Sequence, residues 1–136
     1  MFSTKNQENL ISELWQPRLY AYIYGIAKNL NLKILACGGT ENHIHLLVAL
    51  PATVTLAEVV QKLKANSSRW MRERLATFEW QKGYGAFSVS PSLLSVVEAY
   101  IRNQRRHHAR RNFDDEFVAL LKKSGIAYDP MRLFAA

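Results

Sequence analysis

Cysteine is almost missing from this chain: Cys37 is the only one in 136 residues. A single thiol excludes an internal disulfide and any zinc site built from several thiolates, and it fits the reducing cytoplasm, the expected location. Cys37 itself lies in an apolar run and reads as a core residue rather than a nucleophile. No stretch approaches the roughly 20 apolar residues that cross a bilayer, and the N-terminus lacks the charged-then-apolar pattern of a secretion signal. No membrane partner is expected. Four prolines and six glycines are scattered without a linker-like cluster, so residues 1–136 are expected to form a single domain. Acidic residues are also scarce, 11 against 18 Lys and Arg, which leaves a formal charge of +7. Such an excess favours a polyanionic partner, nucleic acid first and anionic membrane second, without naming a function.

What is present is a dense succession of short elements. Met1 to Lys5 fits a short strand or its remnant. Leu14, Leu19, Tyr22, Ile23, Ile26 and Leu30 recur at helical spacing and predict a first helix entered near Pro17 or a turn earlier. Leu32 to Cys37 reads as a strand, Gly38-Gly39 with Asn42 as a turn, and His43 to Leu50 as a second strand of one hairpin, ended by Pro51. Thr55 with Glu58 forms a capping box ahead of Leu56, Val59, Val60 and Leu63, opening a long helix toward Leu75. Trp80 to Val89 reads as a further strand with Gly83 and Gly85 as bulges. Ser90 and Pro91 then start a helix through Leu94, Val97 and Ile101, and a last short helix is expected over Asp114 to Lys123. This is the β-α-β-β-α-β order of an α+β, ferredoxin-like antiparallel sheet with helices on one face plus C-terminal helices.

The side chains that carry chemistry sit in three places. His43 and His45 alternate on a strand, so both imidazoles point to the same side, as metal ligands must. A bare His-x-His is more often a pair bonded to water or backbone. Tyr100 and Gln104 lie one helical turn apart and share a face. A phenol can attack a phosphate, and an amide oxygen can join imidazoles around a hard divalent ion. Taken alone, Tyr100 also fits a core aromatic beside Val97 and Ile101, and Gln104 a solvated helix residue. After them runs Arg105-Arg106-His107-His108-Ala109-Arg110-Arg111, suited to phosphate contacts or to a solvated helix end. His107 and His108 rank below the strand pair as ligands. Lys62, Lys64, Arg69, Arg72 and Arg74 interleave with Trp70, a composition that can hold single strands by charge and stacking, although Trp70 fits a packed position equally well.

Taken together, Gly38-Gly39-Thr40-Glu41-Asn42-His43-Ile44-His45-Leu46-Leu47-Val48, Lys62-Leu63-Lys64-Ala65-Asn66-Ser67-Ser68-Arg69-Trp70, Gly83-Tyr84-Gly85-Ala86-Phe87-Ser88-Val89-Ser90 and Tyr100-Ile101-Arg102-Asn103-Gln104 resemble the small single-tyrosine HUH-type transposases of bacterial and archaeal insertion sequences. These are also related to the REP-associated tyrosine transposases. The resemblance runs in order from about Phe2 to Phe134. It implies that His43, His45 and Gln104 hold a divalent ion, Mg2+ or Mn2+, and that Tyr100 is the nucleophile. It further implies cleavage and rejoining of single-stranded DNA through a 5′-phosphotyrosine link, and recognition of DNA hairpins at the element's ends. A homodimer whose tyrosine helix can complete the partner's metal site belongs to the same implication. Lys62, Lys64, Arg69, Arg105 and Arg106 are the candidate DNA contacts.

In one respect the chain departs from the family. A full strand usually precedes the Phe-Ser-Thr-Lys segment, whereas Phe2-Ser3-Thr4-Lys5 here follows Met1 directly, so the first strand is expected to be shortened, at a cost in pairing and burial. A catalytically inactive, hairpin-binding remnant is therefore the alternative to an active transposase. A metal-dependent hydrolase that activates water through the histidine pair is a third reading, and a replication initiator or relaxase ranks lower because the matched segments are those of the transposases.

Overall fold

The computed structural model describes residues 1–86 and 88–104. The expected helix over Asp114 to Lys123 lies outside the described residues. Within them the elements run β1 (Phe2–Ser3), a 3-10 turn, α1 (Gln16–Asn29), β2 (Lys33–Gly39), β3 (His43–Ala49), α2 (Leu56–Arg72), a second 3-10 turn (Pro91–Leu93) and α3 (Leu94–Arg102).

The strands form one antiparallel sheet in the order β1-β3-β2, with Phe2 opposite Ile44 and Cys37 opposite Leu46. Beyond β1, Thr4 bridges Trp80 in antiparallel sense. The segment after α2 therefore takes the fourth, outer place, which gives the spatial order 4-1-3-2 expected of a ferredoxin-like chain. The first strand is indeed short, two residues long, and both are buried.

Two faces of the sheet are covered differently. Helices α1 and α2 pack on the face that carries Phe2, Ile34 and Ile44, and they contribute Leu19, Ile23, Val59, Leu63 and Met71 to the larger core. Alternation along β3 sends His43, His45 and Leu47 to the opposite face, where α3 packs through Ile101 against Ala36 and Leu47. A register shift between Ile34 and Ala36 keeps both faces filled, because Leu35 and Ala36 both turn toward α3.

Local chemistry accounts for the element ends. Pro17 lies in the first turn of α1, where its missing N–H costs nothing. Asn31, at a φ of 57°, reverses the chain after α1, and the Leu32 N–H returns to the Ala27 carbonyl at 2.8 Å. Thr55 caps α2 by accepting from the Glu58 N–H at 3.2 Å, the forward half of the expected capping box.

Two expectations need correction. The glycine pair belongs to β2 rather than to the turn, which is made by Thr40, Glu41 and Asn42. Among the described residues, the strand expected over Trp80 to Val89 is reduced to the Trp80 bridge and a few bonds: Lys5 N–H to the Glu79 carbonyl, Gln81 N–H to the Ser3 carbonyl, and Met1 with Gly85. Met1 meets Gly85 where the Thr4–Trp80 register would bring Gly83, so two residues bulge out. Gly83 turns there at a φ of 81°. The Lys64 ammonium donates to the carbonyls of Gln81 at 2.6 Å and Gly83 at 2.9 Å, which satisfies oxygens that a continuous ladder would have used.

Candidate active site

The site is built where β3 and α3 face each other. His43 opens β3 and is fully buried, and His45, two residues on, is 4% exposed. Their rings stand at right angles with centroids 5.0 Å apart. From the other side α3 delivers Tyr100, half-buried, whose ring lies 5.7 Å from that of His45. Just past the end of α3, Gln104 is 1% exposed and places Oε1 3.1 Å from His43 Nε2.

Backbone geometry lets the helix come this close. A Cβ on Gly38 would sit 2.1 Å from the Ile101 carbonyl oxygen, so only glycine admits the α3 backbone against β2 at this point. Arg102 ties the same stretch down by donating to the Leu35 carbonyl at 3.1 Å and to Glu98 at 3.0 Å.

The hydrogen bonds decide which atoms point inward. Gln104 Nε2 donates to the Tyr100 carbonyl at 3.0 Å, which turns Oε1 toward His43. Asn42 Nδ2 donates to the Gln7 carbonyl at 3.3 Å, which turns its Oδ1 toward His43 Nδ1 at 2.8 Å. An amide oxygen only accepts, so a proton on Nδ1 suits this contact just as one on Nε2 suits Gln104 Oε1. A neutral ring carries one proton and cannot donate to both amide oxygens, so one ring nitrogen faces an acceptor, Asn42 Oδ1 at 2.8 Å or Gln104 Oε1 at 3.1 Å. Two acceptors at that distance repel unless a proton or a cation lies between them. A divalent ion with imidazole and amide ligands satisfies this donor set without charging the ring.

Among the described residues no three His, Cys, Asp or Glu side chains converge, and the amide of Gln104 is the side chain that meets His43 Nε2 there. Two cavities meet this region. One of about 330 Å³ is lined by Gln16, Cys37, Gly38, Gly39 and Gln104. The other, a cleft of about 660 Å³, is lined by His45, Leu47, Tyr84, Val97 and Tyr100. Burial pushes the Cys37 thiol up to about 12, which fits a core residue rather than a nucleophile.

The four expected chemical residues, His43, His45, Tyr100 and Gln104, come together within one chain. The candidate DNA contacts divide. Lys62 and Arg69 are exposed on α2, Lys64 is engaged with the two carbonyls above, and Arg105 and Arg106 lie outside the described residues, as do His107 and His108. Trp70 is half-buried, stacked on Tyr22 at 5.3 Å, with the Arg74 guanidinium 3.6 Å from its ring centre. The contacts of Asn42 and Thr40 with His43 were not visible in the sequence, where Asn42 read only as part of a turn and Thr40 carried no reading of its own.

The fold is similar to that of a solved structure of a candidate transposase from Deinococcus radiodurans R1, with a TM-score of 0.62 and 22% identity over 76% of this chain and 85% of that one. The family described as Transposase IS200 like matches residues 1–104, and the chain belongs to it. It is thus a DNA-processing transposase of the IS200/IS605 type. No curated protein matches the chain. No helix among the described residues is long and apolar enough to cross a membrane.

Proposed function

We propose that this transposase cuts and rejoins single-stranded DNA with Tyr100 as nucleophile, beside a Mg2+ or Mn2+ ion held by His43, His45 and Gln104, and that it recognises hairpins at the ends of its element. The observation that supports this most is the 3.1 Å approach of His43 Nε2 to Gln104 Oε1, with Tyr100 four residues earlier on α3 and its carbonyl holding the Gln104 amide nitrogen. When bound, the ion would polarise the scissile phosphate and offset charge on its oxygens. The Tyr100 phenol loses its proton and its oxygen bonds to phosphorus. The bond from phosphorus to the 3′ oxygen breaks, and that oxygen leaves as a 3′-hydroxyl after taking up a proton. Because a phosphodiester is conserved, the reverse attack rejoins the strand without an energy-rich cofactor. The cleft bordered by His45, Leu47 and Tyr100 would receive the strand, with its apolar wall against the bases. A homodimer, in which the tyrosine helix of one copy serves the other, belongs to the same proposal.

The test is incubation with Mn2+ and labelled single-stranded DNA from the element's own ends, comparing wild type with Tyr100→Phe on a denaturing protein gel. A covalent protein–DNA band that requires both the ion and the phenol is the expected result. Hairpin binding without any band would instead favour a non-cleaving binder, and cleavage retained by Tyr100→Phe would favour activated water.

A further inference from the structure

We propose that Arg18 and Arg74, set against the rings of Trp15 and Trp70, form a phosphate clamp that grips the duplex stem of the DNA hairpin. The proposal deepens the hairpin reading above and rests on it for the identity of the partner.

The clamp lies where the start of α1 meets the end of α2, on the layer of helices across the sheet from Tyr100. Trp15 is the N-cap residue of α1. The Arg18 guanidinium lies 5.3 Å from the centre of its ring and that of Arg74 5.6 Å. Both cations are thus within about 11 Å of each other, close enough to meet two phosphates of one stem. Arg74 also stands 3.6 Å from the centre of the Trp70 ring and donates from Nη1 to the Trp70 carbonyl at 2.8 Å. A guanidinium has further N–H groups to offer, and this side chain remains 27% exposed, so the fork is held yet still reaches water. The exposed Glu73 carboxylate lies 3.6 Å from it, and a surface pair of this kind is weak enough for a phosphate to displace. No acidic residue occupies the first turn of α1, whose positive dipole end adds to the charge of Arg18.

The rings support the cations rather than read bases. Trp70 is half-buried and stacks on Tyr22 at 5.3 Å with 22° between the planes, while the Arg74 guanidinium lies over it. A base stacks on an open ring face, so these contacts remove Trp70 from the platforms that hold single strands. What this surface offers outward is charge in fixed places. An arginine already stacked on a ring loses little rotamer freedom when its fork meets a phosphate. A duplex presents phosphates at regular positions, whereas a flexible single strand does not. The clamp therefore favours the paired stem and holds it by its backbone, without reading its sequence.

The experiment measures the salt dependence of DNA binding by fluorescence anisotropy, without metal, on two labelled probes. One is a hairpin from the element's own ends, and the other is the same strand with one arm of the stem scrambled so that it stays open. Each phosphate contact to a duplex contributes about 0.9 to the slope of log affinity against log salt. Arg18→Gln with Arg74→Gln should lower the hairpin slope by about 1.8 and leave the open-strand slope unchanged. Arg18→Gln alone, at an exposed position, should lower it by about 0.9, and it serves if the pair of changes destabilises the helices. Lys28→Gln, in the last turn of α1, should change neither slope. An unchanged hairpin slope in Arg18→Gln overturns the proposal, and so does an equal fall on the open strand. Equal binding of both probes by wild type would remove the hairpin reading and the clamp with it. If the band of the cleavage assay forms while the slopes do not move, the clamp alone falls.

Discussion

Gln104 presents an oxygen to the sheet only because its amide nitrogen is committed to the Tyr100 carbonyl one turn back. The two residues are therefore coupled by a bond as well as by spacing. Replacing Gln104 with Leu keeps the volume and removes the acceptor, so Mn2+ affinity by calorimetry should fall by at least about tenfold while the melting temperature changes less than for a cavity-forming change of the same residue. Cys37 supplies a second test. Its thiol is pushed up from an ordinary 9.0 to about 12 by burial, so the folded form holds the proton where the unfolded form releases it. Stability from this residue is complete below about pH 9 and is lost as pH rises toward 12. Alkylation by iodoacetamide at pH 8 should accordingly be at least about a hundredfold slower in the native protein than in denaturant, because the thiolate is the reacting species. Equal rates would place Cys37 outside the core. At this scale the sequence was most legible where a period fixes direction: the strand period of two placed both histidines on one side, and the helical turn aligned Tyr100 with Gln104. Asn42 and Thr40 were illegible because their roles depend on the direction of single hydrogen bonds across a turn.

Elements meet here through backbone as much as through side chains. The Ile101 carbonyl occupies the space that a Cβ would take on Gly38, so Gly38→Ala must push α3 away from β2 and carry Tyr100 and Gln104 with it. The expected outcome is a loss of about 1–3 kcal/mol in denaturant unfolding, as for other overpacked contacts, accompanied by loss of Mn2+ binding. A variant equally unstable through a distant core change, such as Ile23→Ala on the far face, should keep Mn2+ affinity. Weak binding in both would mean that general instability, not α3 displacement, is responsible. Hydrophobic periodicity recovered α1, α2, α3 and the hairpin because each buries a repeating face. It overread the Trp80 to Val89 segment, whose aromatic and β-branched composition matches a strand although its carbonyls at Gln81 and Gly83 are taken by Lys64. It also put the glycine pair in the turn, since glycine marks both reversals and close approaches, and only the packed helix distinguishes them.

Across the whole molecule the excess of positive charge was the first clue to a nucleic-acid partner, yet charge counted along a sequence does not say which cations reach DNA. Lys62 and Arg69 project into solvent from α2, whereas Lys64 is half-buried and its basicity is lowered by that burial. Two of its N–H groups are committed to the Gln81 and Gly83 carbonyls, and the ammonium lies 5.7 Å from the Phe2 ring. These positions predict a split in behaviour. Each exposed cation that contacts a phosphate should contribute about 0.7 to the slope of log affinity against log salt for single-stranded DNA. Lys62→Gln with Arg69→Gln should therefore lower the slope by about 1.4 if both reach the backbone, with thermal stability nearly unchanged. Lys64→Met should leave the slope in place and lower the melting temperature, because two carbonyls of the outer segment lose their donor and the edge beside β1 loosens. A slope that falls with Lys64→Met and not with the pair would move the DNA track from the exposed side of α2 to the edge of the sheet beside β1, and would make the Gln81–Gly83 loop its boundary.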